Sequence, residues 1–144
     1  MGLYPDGTDF VRPERELKSP NDLFTDGELI ANIEADAGEA IKIYGDAKNE
    51  LNLLTGPNGT LRKNGELVPQ ATEVVVQSHL KKIEKLLPRL KALKKHIEGI
   101  ISEAGKRGTR LEKHVTVSLE QVEGYIEAIE SAVKEIRDLY AKKK

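Results

Sequence analysis

Three stretches of this chain place apolar residues alternately three and four positions apart, and that period admits few folds. In the last of them, Leu119, Val122, Ile126, Ile129, Val133, Ile136 and Tyr140 follow one another without a break. At 3.6 residues per turn such positions stack into one stripe along a helix, the pattern by which helices pack side by side. In the first, Ile30, Ile33, Ala37, Ala40, Tyr44, Ala47, Leu51 and Leu54 keep the same period. Many of these are alanines, so a neighbouring helix can come close. In the middle stretch Val76, Leu80, Ile83, Leu87, Leu90, Ile97 and Ile101 form a stripe interrupted at Lys94, and Leu86, Leu93 and Ile100 widen it. A stripe that wide touches two neighbours, which puts the middle helix at the centre.

Punctuation sets the boundaries. Thr25 and Glu28 have the spacing of a capping box, and Gly56 follows the first periodic run, so the first helix is expected over about 26–55. Gly38 and Gly45 within it each cost about 1 kcal/mol against Ala, so this helix leans on tertiary packing. Asn64-Gly65 is the preferred pair for a two-residue type I′ turn, which sets Lys63 opposite Glu66, with Leu61 and Val68 pairing further out. The second helix is expected from about 72 to 104, capped by Gly105 and kinked by Pro88 near Glu84 to Leu87. A basic turn follows over 105–117. Ser118 and Gln121 then match a second capping box and start the third helix at 118–141. Residues 1–24, broken by Pro5, Pro13 and Pro20, read as an extended arm. The expected fold is all-α: three long heptad-patterned helices in an up-down-up bundle, with that arm and one minor β-hairpin.

Composition agrees with a helical core and excludes some chemistry. Apolar residues make up 38% of the 144, but aromatics only 4%, so the core must come from Leu, Ile, Val and Ala. Sandwiches and barrels usually draw on Val, Thr, Tyr and Phe instead. The absence of cysteine rules out disulfides, thiolate metal sites and a cysteine nucleophile. No run approaches the roughly 20 apolar residues that span a bilayer, so no membrane insertion is expected. The first residues lack the basic and apolar regions of a secretory signal, so the expected location is cytoplasmic; packaging into a virion or leaderless export would leave no trace in the sequence.

No dinucleotide or phosphate loop, zinc-protease helix, serine-hydrolase elbow or calcium loop occurs. His79, His96 and His114 lie 17 and 18 residues apart and share no ligand spacing, so they read as partly exposed helix or loop positions. None has Glu three residues before it, which removes a di-iron bundle. The carboxylates Glu34, Asp36 and Glu39, and Glu120, Glu123, Glu127 and Glu130, fall mostly outside the apolar stripes and read as solvated faces. No catalytic residue, metal or cofactor is therefore expected.

Charge is divided along the chain. Residues 1–55 hold twelve acids against five bases, a balance of −7; residues 81–114 hold eleven bases against four acids, a balance of +7. The basic residues Lys81, Lys82, Lys85 and Arg89 run along the second helix, and Lys106, Arg107, Arg110 and Lys113 follow it. Packing of the second helix against the acidic first helix accounts for the former; phosphate binding is the competing reading, weakened by the lack of aromatic residues for base stacking. Both phenylalanines lie in the arm, where Tyr4, Phe10, Val11 and Phe24 could anchor to a neighbour. The expected function is that of a non-catalytic structural or assembly protein. It would bind protein partners, or its own copies, through a helical rod and an N-terminal arm, as in a virion or secretion complex. The alternative is a regulator that binds nucleic acid, or an enzyme that handles it, through residues 81–114.

Overall fold

Thr25 stops an extended segment and starts a helix. In the computed structural model, which describes residues 15–69 and 73–143, its hydroxyl accepts a hydrogen bond from the Glu28 amide at 3.1 Å. The Glu28 carboxylate reaches back to the Phe24 amide and the Thr25 hydroxyl. Helix α1 then runs Asp26–Thr55. A two-stranded antiparallel hairpin follows, β1 (Arg62–Lys63) and β2 (Glu66–Leu67). Lys63 sits opposite Glu66, and the Val68 amide donates to the Leu61 carbonyl. Asn64 and Gly65 both have positive φ, at 54° and 83°, as the type I′ turn requires. The approach to this hairpin folds back tightly on the end of α1. A Cβ on Gly59 would stand 2.5 Å from the Leu54 carbonyl, so only glycine fits there.

The middle helix is interrupted at Lys85 and Leu86, where Pro88 was expected to kink it. Helix α2 spans Glu73–Glu84 and α3 spans Leu87–Arg107. Pro88 lies in the first turn of α3, where its missing amide hydrogen would have had no helical partner. The β-branched Val74–Val76 run is helical. Its expected start at Thr72, and the arm residues Tyr4, Phe10 and Val11, lie outside the described residues. The C-terminal cap expected at Gly105 is instead Gly108, which takes φ 73°. Gly105 stays helical, because a helix ends where the left-handed residue is needed, not at the first glycine available.

Helix α4, Lys113–Lys143, begins five residues before the expected start at Ser118. Ser118 is no cap: it is buried within the helix, and its hydroxyl donates to the His114 carbonyl. The apolar period extends back through fully buried Val115, and that burial draws the preceding turn into the helix. The basic turn shrinks accordingly, since Lys106 and Arg107 end α3 and Lys113 opens α4.

Altogether 77% of the described residues are helical. The core is aliphatic, with Leu29, Ile33, Ala40, Ala47 and Leu54 of α1 facing Leu80, Ile83, Leu90, Leu93, Ile97 and Ile100 of α2 and α3, and Val122, Ile129 and Ile136 of α4. One column of the α1 stripe differs from expectation. Ile33, Ala40, Ala47, Leu51 and Leu54 are buried as read, but Ile30, Ala37 and Tyr44 are only half-buried, and the second buried column is Leu29, Asp36, Ile43 and Glu50. Tyr44 is half-buried and stacks on Tyr125 of α4, with centroids 4.4 Å apart.

Candidate functional site

The displaced column brings two carboxylates into the interior, and each meets a histidine. Asp36 is fully buried, and its Oδ2 lies 2.6 Å from His96 Nδ1. Further along α1, Glu50 Oε1 lies 2.5 Å from His79 Nδ1, with Lys82 Nζ at 3.9 Å. The two pairs run in opposite chain directions, so α1 lies antiparallel to the α2 and α3 segment. The expectation that Asp36 and His96 sit on exposed or partly exposed faces is thus overturned. A buried carboxylate without a partner is costly, and these side chains are inside because they satisfy one another.

The network continues into the segment before α1. Arg15 donates to the other Asp36 oxygen and lies 3.6 Å from Glu39. Arg89 of α3 grips Glu39 with two nitrogens, at 2.5 and 3.1 Å, and donates to the Arg15 carbonyl at 2.8 Å. His96 Nε2 points at the Lys18 carbonyl, 2.6 Å away. Each ring nitrogen of His96 therefore faces an oxygen, one of Asp36 and one of the Lys18 backbone.

Residues 15–24 form a strap across α1 and α3. A single 3-10 turn, Pro20–Asp22, crosses at Gly99, where a Cβ would stand 3.2 Å from Pro20 Cγ. Leu17 packs on the core and Leu23 is buried in it. Arg107 donates to the Pro20 carbonyl at 3.3 Å, and Thr109 to Asp26 at 2.9 Å. The turn after α3 therefore lies beside the start of α1.

Along α2 and α3 much of the basic stripe is matched within the chain. Arg89 and Lys82 face the acids of α1. On the opposite side Lys91 pairs with Glu130, Lys94 with Glu123, and Arg137 of α4 grips Glu84 with two nitrogens. Those hydrogen bonds hold the Arg137 pKa above its ordinary value, with desolvation opposing them and the Glu84 charge adding to them. Lys81 and Lys85 are exposed. Arg107 pairs with Glu103, whereas Lys106, Arg110 and Lys113 are exposed at the end of the bundle. His114, also exposed, lies 3.6 Å from Glu34 and 3.4 Å from Glu112. Of the arm residues singled out in the sequence, Phe24 alone is described, and it is 79% exposed.

Among the described residues no His, Cys, Asp or Glu cluster is placed to hold a metal ion, and no helix is long and apolar enough to cross a membrane. No family model, curated protein or solved structure matches this chain.

Proposed function

We propose that this protein is a non-catalytic assembly protein that joins protein partners through its helical bundle and its N-terminal segment. The observation that carries this reading is the strap groove. A segment held merely for compactness needs only apolar contacts, yet this one is read by Asp36, Glu39, Arg89 and His96, residues from two different helices. Such matching of charge and backbone carbonyls to one extended segment is how proteins recognise peptides with specificity. The His96–Asp36 pair has the residue types of a general base, but His96 Nε2, the atom a base would present, faces the Lys18 carbonyl, and the ring is buried.

The alternative, a regulator that binds nucleic acid, rests on the exposed Lys106, Arg110 and Lys113. It loses support along α2 and α3, where Lys82, Arg89, Lys91 and Lys94 already face acids of this chain. Deletion of residues 1–24 tests the proposal. The helices are expected to remain, by circular dichroism, at lowered stability because Arg15 and buried Leu23 are lost, while association measured by light scattering disappears. Association that survives the deletion contradicts the reading. A pull-down from the native host, with and without nuclease, separates a protein partner from a nucleic acid.

A further inference from the structure

We propose that residues 9–12 of this chain dock in the groove between α1 and α2, beyond the end of the strap, with Phe10 and Val11 covering Leu53 and Val75. This goes beyond the assembly reading and does not depend on it. The strap sets both direction and register. His96 meets the Lys18 carbonyl and Arg89 the Arg15 carbonyl, so three residues of strap advance past seven residues of helix. Three extended residues and seven helical ones each span about 10 Å, so the two elements stay in step. Carbonyls that face one side at every third residue belong to a polyproline-type chain, and Pro13 favours its continuation.

Carried on in the same register, the chain brings the Arg12 carbonyl to Lys82 and then Asp9 to Val75, the positions that continue the spacing of His96 and Arg89. Phe10 and Val11 come level with His79 between them. The Arg12 side chain comes level with Asp46, seven residues past Glu39, as Arg15 is level with Glu39. From Glu39 to Leu53 the groove runs about 20 Å, which roughly six extended residues cover, so the residues before Arg15 reach its end.

The groove there repeats what the strap covers. Asp36 and His96 are sealed beneath the strap. Glu50 and His79 form the same pairing further along α1, yet the His79 side chain is 25% exposed. Leu53, three residues past Glu50, and Val75, four before His79, share the faces of that pair and stand 55% and 48% exposed. In the strap, Leu17 and Leu23 supply apolar contacts on either side of the carbonyl that meets His96. Phe10 and Val11 supply the apolar contacts beside His79.

The chain has no cysteine, so an engineered pair reports cleanly. Val11→Cys with Val75→Cys is made in the full-length chain, and Gly2→Cys with Val75→Cys is the control, which an undocked arm would link as readily. Both are oxidised over a series of protein concentrations and read on non-reducing gels. Cross-linking within single chains is expected, severalfold faster for the first pair than for the control and unchanged by dilution. Adding Phe10→Ser should slow the first pair severalfold. Equal rates for the two pairs, or links formed only between chains, overturn the docking. Where a cysteine variant loses helical circular dichroism, nuclear Overhauser contacts in the unsubstituted chain decide. Contacts between the Phe10 ring and the methyl groups of Leu53 or Val75 support the docking, and their absence overturns it. Association is read separately by light scattering, so either reading can fail while the other stands.

Discussion

The two flanks of α3 carry the same chemistry in different surroundings. Towards α1, Arg89 and His96 meet Glu39 and Asp36, with the Asp36 side chain at 0% and His96 at 6% exposure. Towards α4, Lys91 meets Glu130 with the two side chains 57% and 47% exposed. In water such a pair contributes about 0–1 kcal/mol, because solvent screens it and two flexible side chains must be ordered. In the interior the charges are strongly coupled, and removing one partner leaves the other stranded, at about 3–5 kcal/mol. A count of acids and bases along the chain treats the two flanks alike, whereas burial makes the α1 side specific and leaves the α4 side adaptable.

The comparison has a common foundation, and breaking that is the largest effect. Ile129 is fully buried, so Ile129→Asp places an unpaired charge in the shared core and is expected to unfold the bundle, seen as loss of helical circular dichroism. Asp36→Ala is next. It strands His96 and Arg15 and is expected to cost about 3–5 kcal/mol in urea denaturation, whereas Glu130→Ala on the other flank costs less than about 1 kcal/mol. Equal costs for the two would erase the distinction. Gly38 and Gly45 have open space where a Cβ would be, so Gly38→Ala and Gly45→Ala should each stabilise by about 0.5–1 kcal/mol, raising the melting temperature. The smallest effect is expected for Lys106, Arg107, Arg110 and Lys113 all changed to Ala. Arg107 meets Glu103 and the Pro20 carbonyl at the surface, and Lys106, Arg110 and Lys113 are exposed, so melting should shift by little. A large drop there would show that the end of the bundle is structural.

Much of the architecture was legible because apolar period and turn chemistry are local. Positive φ at Asn64-Gly65 and the capping bond from the Glu28 amide to Thr25 are decided within four residues. The buried network was not legible, for a physical reason. Columns through Leu29, Asp36, Ile43 and Glu50 or through Ile30, Ala37, Tyr44 and Leu51 both keep the period beside Ile33 and Ala40. Apolarity favours the second, since Asp36 and Glu50 look like surface residues. Their burial depends on His96, His79 and Arg15, which lie 21 to 60 positions away in sequence. The seven-residue recurrence of Asp36, Ile43 and Glu50, beside histidines on the facing helix, was the available signal. The late start assigned to α4 arose similarly, because Ser118 matches a capping pattern that only the burial of Val115 overrides.

The central claim, that the strap is held by a buried charge network and not by incidental contact, is tested most directly by a double-mutant cycle on Arg15 and Asp36. The chain, Arg15→Ala, Asp36→Ala and the double variant are unfolded in urea under one set of conditions. A coupling of at least about 1.5 kcal/mol is expected, because the second substitution removes a charge the first has already stranded. Additivity within about 0.5 kcal/mol would contradict the claim and return Arg15 to the exposed surface.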